Sequence, residues 1–365
     1  MEQFYLICPI GLESYMHWEL TQKWPKYFAE DELSEIKIDK GGIEISCKRK
    51  QGFYLNQILR TPSKILWRLK KRKCRDIPRL YQIIKKHEWR DYLNQTSVEI
   101  KVSAKESRLF HSGKIEKAAH DAINDYFKAQ SLKKSLQEAH KDDSLQTIHL
   151  RLFQDELTIS LDTSGELLHK REDDRFKGLA SLRENIAQLL IIALTKDLNE
   201  EIDHFIDPMC GSGTFLFERK NQNELLNRDF AYQYLAKQMS VEVFPLKANK
   251  VEVKEKLLGF ELQENIVSKL KDESIKFSQQ DLFAGTKVNG NNIVIINPPY
   301  GKRVKIKGDK LKYFEDIISK CEQLYAPKAF GIIIPRDFVG NIKGERISFN
   351  QNGIPVTFLI RPKAQ

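Results

Sequence analysis

Asn297-Pro298-Pro299-Tyr300 follows directly on an apolar run, Ile293-Val294-Ile295-Ile296. The run reads as a buried parallel strand, so the tetrapeptide stands at a strand's carboxyl end, where open α/β sheets hold their ligands. Pro298 and Pro299 fix φ and remove two N–H donors, which leaves a stiff turn of carbonyl acceptors between an amide and an aromatic ring. Such a turn suits a flat substrate with an exocyclic amino group: a nucleobase. That nitrogen is a poor nucleophile, because its lone pair is delocalised into the ring. The Asn297 side-chain oxygen and the Pro298 carbonyl can each accept one of its hydrogens, which favours a pyramidal nitrogen aimed at an electrophile. Tyr300 would stack on the base and hold it in line. Taken alone, the tetrapeptide is equally consistent with a rigid loop.

A second group lies upstream in His204-Phe205-Ile206-Asp207-Pro208-Met209-Cys210-Gly211-Ser212-Gly213-Thr214. This reads as a short strand with an acid at its tip, then a glycine turn that opens a helix at Phe215. Gly211 and Gly213 let the backbone approach a ligand closely. The spacing is neither G-x-G-x-x-G nor G-x-x-x-x-G-K-[ST], which disfavours a dinucleotide or a nucleoside triphosphate. S-adenosylmethionine fits better: it carries a sulfonium, an amino acid end and an adenosine, and no phosphate. Two more strand ends carry acceptors. Leu257 to Glu261 ends in a carboxylate that can take both ribose hydroxyls, and Phe277 to Leu282 presents Asp281 to an adenine amino group. A single acid here is more often a solvated loop residue. Three acids and two glycines at successive strand ends outweigh that reading.

These groups need a scaffold of alternating strands and helices, which predicts a doubly wound, Rossmann-like parallel sheet of the α/β class. A helix over Leu182 to Leu198 would cover it, Asn265 to Leu270 has helical spacing, and Arg219 to Val253 holds a helix or two with a loop. Ile347 to Ile360, with Asn352-Gly353 inside, reads as an antiparallel hairpin that makes the sheet mixed at one edge. The N-terminal half has α+β order: strands at Phe4 to Cys8, Val98 to Val102, Ile148 to Phe153 and Leu157 to Leu161. Helices are expected over Gly11 to Trp24 and Ile115 to Phe127, and a hairpin around Gly41-Gly42. Ile65 to Leu69 has helical spacing, with Trp67 directed to the core. Gln130 to Ser144 reads as a polar surface loop and helix end.

The chain has 365 residues and a net charge of +10, which favours a polyanionic partner. Between Lys48 and Arg90 only Asp76 and Glu88 are acidic. The densest cations, Lys48, Arg49, Lys50, Lys70, Lys71, Arg72 and Lys73, are candidates for binding RNA phosphates, against the default reading of a solvated face. Cys8, Cys47, Cys74, Cys210 and Cys321 are scattered with no C-x-x-C pair, so neither a disulfide framework nor a metal site is expected. The N-terminal apolar stretch lacks a basic lead and is broken by Pro9, and no run reaches membrane-spanning length. The expected address is the cytoplasm, with no membrane partner.

On these residues the chain resembles the THUMP-domain RNA methyltransferases, most closely the bacterial 23S ribosomal RNA guanine-N2 family. The likeness runs nearly end to end. It is carried by Cys8 to Glu13, Leu161 to Arg171, Leu182-Arg183-Glu184-Asn185, Asp207 to Thr214 and Asn297 to Arg303. The resemblance implies an N-terminal ferredoxin-like region at 1–55, a THUMP RNA-binding domain at 56–165, a linker at 166–181 and a methyltransferase domain at 182–365. It implies that Asp207, Met209, Cys210, Gly211, Gly213 and Thr214 cradle S-adenosyl-L-methionine. Glu261 with Leu262 would serve its ribose, Asp281 with Leu282 its adenine, and Asn297, Pro298, Pro299 and Tyr300 would form the catalytic turn beside it. The expected product is N2-methylguanine in large-subunit ribosomal RNA. The alternatives are a transfer RNA guanine-N2 methyltransferase and a non-catalytic RNA-binding or ribosome-assembly factor. DNA is not an expected partner, since nothing resembles a DNA target-recognition domain. The chain departs from the family at Glu172-Asp173-Asp174, where Gly-Tyr-Arg is usual, at Ser181 in place of proline, and at Gln263 in place of a second acid.

Overall fold

Two sheets organise the chain. The computed structural model describes residues 1–29, 31–33, 35–93, 97–129, 137–138, 146–171, 175–178, 181–236, 246, 253–300 and 309–361. One unit comprises Met1–Ile7, Lys23–Leu168 and Leu226–Leu246; the other comprises Cys8–Gln22, His169–Leu225 and Lys247–Gln365.

The sheet of the first unit begins with β1 (Glu2–Ile7), β2 (Glu35–Asp39), β3 (Gly42–Cys47) and β4 (Lys64–Lys73), joined by α1 (Glu13–Tyr27) and α2 (Arg49–Ile58). Its spatial order β2-β3-β1-β4, antiparallel throughout, is the ferredoxin-like arrangement. It continues through α3 (Ile77–Lys85), β5 (Ser97–Lys105), α4 (Ser112–Ala129), β6 (Gln137–Glu138), β7 (Thr147–Phe153) and β8 (Glu156–Asp162), with β8 against β4. The expected hairpin forms, with Ile38 opposite Ile43.

Ile65 to Leu69 departs from its helical spacing and lies in β4. Strand pairing overrides local pattern here: Trp67 is opposite Phe4 on one side and Leu161 on the other. Trp67 is core, as expected, with its ring 6.3 Å from Phe4 and 5.8 Å from Phe53, and its indole N–H donates to Glu2. Most of Gln130 to Ser144 lies outside the described residues, and its described part, β6, pairs with β5 rather than looping.

A buried polar network closes the end of β8. The Lys64 ammonium donates to Asp162 and to the Gly165 carbonyl, while the N–H groups of Ser164 and Gly165 donate to the Asp162 carboxylate at 2.8 and 3.1 Å. Asn56 donates to Thr163 at 3.0 Å and accepts from Ser164 at 2.6 Å. Residues 226–236 complete this unit: Tyr232 stacks on Phe53 at 5.0 Å, its hydroxyl accepts from Gln57, and its N–H donates to the Thr163 carbonyl.

The second unit holds α5 (Glu184–Thr195), β9 (His204–Asp207), α6 (Thr214–Lys220), β10 (Lys256–Glu261), α7 (Glu264–Val267), β11 (Ile275–Gln279), β12 (Asn292–Ile296), α8 (Lys310–Tyr325), β13 (Ala329–Pro335), β14 (Glu345–Gln351) and β15 (Ile354–Arg361). The sheet order is β11-β10-β9-β12-β13-β15-β14. The five strands from β11 to β13 are parallel, and β15 and β14 are antiparallel, as the mixed edge predicts. The order reverses between β9 and β12, the topological switch point where such sheets bind ligands.

Every residue of β12 is buried, as its unbroken apolar run requires. The residues from Glu184 to Leu194 of α5 are buried as well. Asn265 to Leu270 yields only the single turn α7. Between Arg219 and Val253 the described residues hold the end of α6 and a 3-10 turn at Ala231–Tyr234, while 237–245 and 247–252 lie outside them. Among the described residues no helix is long and apolar enough to cross a membrane.

Candidate active site

The carboxyl ends of β9, β10, β11 and β12 bring the expected residues to one edge of the sheet. Asp207 ends β9 with its side chain almost fully buried, and one carboxylate oxygen accepts from the Met209 N–H at 3.2 Å. The turn after it is tied to the next strand: Cys210 N–H donates to the Phe260 carbonyl at 2.9 Å, and Gly211 N–H donates to Glu261 Oε2 at 3.1 Å. Glu261 Oε1 accepts from Gln263 N–H, so Gln263 serves this site through its backbone.

Gly211 and Gly213 have φ of +52° and +73°, which L side chains adopt at a cost. A Cβ on Gly213 would come within 3.1 Å of the Phe277 ring, whereas one on Gly211 would meet nothing within 4 Å. The space over Gly211 is therefore open for a ligand to touch the backbone, and Gly213 is needed for packing. Cys210 and Thr214 are buried beneath the turn, and Met209 is half-buried.

The electrostatics are unusual. Burial, opposed only by the Met209 N–H and reinforced by the Glu261 carboxylate, pushes the Asp207 carboxyl up to about 8. Burial also pushes the Cys210 thiol up, with Asp207 and Glu261 adding to it, which marks it as a packing residue rather than a nucleophile. Asp281 caps the turn after β11 by accepting from Phe283 N–H at 3.0 Å, with its side chain exposed. Leu282 is buried, while Leu262 and Phe283 are 61% and 45% exposed: two apolar groups left open beside two acids. Exposed apolar side chains next to carboxylate acceptors match the adenosine of S-adenosylmethionine. Asp207 and the open Gly211 backbone match its charged end.

Asn297 follows β12, which runs parallel to β9 with Val294 opposite Ile206, so Asn297 stands just beyond the level of Asp207 at the same edge of the sheet. Its Oδ1 is shielded from solvent and has no hydrogen-bond partner among the described residues. An unmade hydrogen bond of this kind costs about 1–3 kcal/mol, so the atom is poised for a donor from outside. Pro298 is buried, Pro299 exposed and Tyr300 half-buried against the core under β12. Gly301-Lys302-Arg303 and Glu172-Asp173-Asp174 lie outside the described residues.

Sequence reasoning missed what fastens the glycine turn. Ser181 and Ser212 are joined by a 2.7 Å hydrogen bond between their hydroxyls, and Arg171 holds the buried Glu218 of α6 through two hydrogen bonds of 3.0 and 3.2 Å. The signal was available only as a charged residue inside an apolar helix.

The cationic candidates fall in two groups in the other unit. Lys48 pairs with Asp31, and Arg49 pairs with Glu2 and lies 4.9 Å over the Trp67 ring, so these two are engaged locally. Lys50 lies over Tyr54, and Lys71 pairs with Glu156. Lys70, Arg72 and Lys73, on the less buried half of β4, make no ion pair among the described residues.

Comparison with known proteins identifies the domains. Residues 171–337 match the model of the RMKL-like methyltransferase domain and residues 74–162 that of the THUMP domain, so the chain carries both. A curated relative, ribosomal RNA large subunit methyltransferase K/L of Photobacterium profundum, is 25% identical over 359 residues, covering 91% of this chain and 48% of its own. The chain spans about half the length, or less, of the curated relatives it matches. A possible methylase from Clostridium difficile 630 superposes with a TM-score of 0.81 at 22% identity, covering 100% of this chain and 98% of that one. A protein described as a methyltransferase and solved with SAH superposes with a TM-score of 0.77 at 19% identity, covering 100% and 98%. The second unit has the class I methyltransferase fold.

Proposed function

We propose that this chain, with its THUMP domain and RMKL-like methyltransferase domain, methylates an exocyclic base nitrogen of RNA, specifically guanine N2 of large-subunit ribosomal RNA, using S-adenosyl-L-methionine. The observation that carries the reading is the buried, unpartnered Asn297 Oδ1 at the switch point, one strand from the glycine turn. When bound, S-adenosylmethionine supplies an electrophilic methyl group.

The chain's own residues do the rest. Asp207 and the open Gly211 backbone receive the cationic end of the cofactor, Glu261 the ribose and Asp281 with Leu282 the adenine. Asn297 Oδ1 and the Pro298 carbonyl accept the two amino hydrogens of the base, and this holds the nitrogen lone pair toward the glycine turn. Tyr300 supports the base face, and burial of the acceptors makes their dipoles effective. A base in a duplex would have to be flipped out to reach this edge. Lys70, Arg72 and Lys73 would position the RNA through its phosphates. The name of the curated relative supports ribosomal RNA as the substrate class.

Transfer from labelled S-adenosylmethionine to unmodified large-subunit ribosomal RNA, transfer RNA and DNA, run in parallel, tests this. Label in ribosomal RNA alone, recovered as N2-methylguanosine, is the expected result. Label in transfer RNA would select the transfer RNA alternative. Absence of cofactor binding by the folded protein would leave an RNA-binding factor.

A further inference from the structure

We propose that Arg336 and Lys310 hold a phosphodiester of the substrate RNA on the side of the target base away from the cofactor. This rests on the reading of the chain as an RNA methyltransferase.

The placement comes from the sheet. β13 runs parallel beside β12, with Ile332 opposite Ile296, so both strands end at the same edge as Asn297. The glycine turn ends β9, on the other side of β12. At about 4.8 Å per strand, β13 stands roughly 10 Å to the side of β9, and it runs on to Pro335, past the level at which β9 ends. A base held at Asn297 thus has the cofactor on one flank and the end of β13 on the other. Its ribose and phosphates must leave on a side the cofactor does not fill.

Arg336 is the first residue after β13 and is exposed. Its guanidinium makes no ion pair, hydrogen bond or ring contact among the described residues. Lys310 opens α8 and lies 4.7 Å over the ring of Phe338, two residues beyond Arg336. Phe338 stacks on the buried Phe314 at 6.4 Å and packs, with Tyr300 and Tyr313, against one core cluster. A shared core therefore links the catalytic turn to the two cations.

The sequence breaks a local rule at this place. The first turn of α8 carries Lys310 and Lys312 and no acid, against the helix dipole, at a cost of about 0.3–1 kcal/mol each. Asp309 caps the helix, its carboxylate accepting from Leu311 and Lys312 N–H groups at 2.9 and 3.4 Å, and among the described residues it makes no ion pair with either lysine. Asp337 is the one acid in the Arg336–Phe338 turn. An uncompensated guanidinium and ammonium beside a base site match a phosphodiester.

The test uses the full chain with Arg336→Ala, Arg336→Lys and Lys310→Ala. Each is assayed for transfer to unmodified large-subunit ribosomal RNA, for RNA affinity across salt concentrations, and for SAH affinity by calorimetry. Arg336→Ala should raise KM for RNA about tenfold with kcat little changed, and reduce the salt slope by about one. Lys310→Ala should do the same more weakly, and Arg336→Lys should recover part of the loss. SAH affinity, which also reports folding, should not move. An unchanged KM and slope in both alanine variants would overturn the assignment, as would a loss of SAH affinity with RNA binding intact, which would assign the cations to the cofactor's carboxylate. A wild-type protein that neither binds nor methylates RNA would remove the functional reading itself, and this inference with it.

Discussion

Asp162 and Asp207 are the same residue, each ends a β-strand, and each is only 2% exposed, yet their surroundings differ in kind. Asp162 is surrounded by donors. Burial alone would raise its carboxyl, but His149 at 3.9 Å and the Lys64 ammonium hold it below the usual carboxylate range. Asp207 has one N–H donor and a like charge, Glu261, as its neighbour, and is pushed up to about 8. The first carboxylate is complete within the chain. The second is completed only by something that binds. Burial therefore does not distinguish a structural acid from a ligand-binding one; the count and sign of its partners does.

Removing each acid should separate the two. Asp162→Ala leaves the Lys64 ammonium buried without its carboxylate, and should cost about 3–5 kcal/mol in denaturant unfolding. A cost under 1 kcal/mol would show that the network is dispensable. Asp207→Asn should weaken S-adenosylmethionine binding by about 2–5 kcal/mol in calorimetry. Yet the ligand-free variant should melt at a higher temperature than wild type near pH 7, because there the unfolded chain ionises Asp207 freely while the folded state must keep the buried carboxyl protonated. A lower melting temperature would contradict the assignment.

The pH dependence follows with opposite signs. The stabilisation from Asp162 is present above the unfolded carboxylate range and lost as pH falls through its depressed folded value. For Asp207, folding is favoured at low pH and loses that advantage as pH rises through about 8. Cofactor affinity should then fall by up to about tenfold per pH unit below 8, with proton release on binding near pH 7. Binding without proton release would count against it. The smallest effect is expected for Gly211→Ala. The left-handed backbone costs about 1–2 kcal/mol, while the new methyl, which touches no protein atom, should obstruct the ligand. Cofactor affinity should drop more than stability does.

This contrast was half legible in the sequence. Asp207, Gly211, Glu261, Asp281 and Asn297 stand at the ends of apolar runs, so strand periodicity alone brings them to one edge. The network of Asp162 was not legible, because Lys64 lies 98 residues away and no local pattern links the two. β4 carries helical spacing but is claimed by β1 and β8, a decision made by distant residues. Residues 226–236 sit between two strands of the second unit's sheet yet fold with the first, for the same reason. α8 and β13 were readable in principle: Phe314, Ile317, Ile318 and Cys321 recur at helical spacing, and Phe330 to Ile334 is an apolar run. They bear no motif residue, so chemistry alone does not point to them.

The most direct test of the account is single-turnover methyl transfer to unmodified large-subunit ribosomal RNA at saturating cofactor, wild type against Asn297→Ala. The account predicts a rate lower by about 100- to 1000-fold, the scale for one preorganised acceptor or donor, with SAH affinity within about twofold of wild type. Equal rates in the two proteins would contradict it.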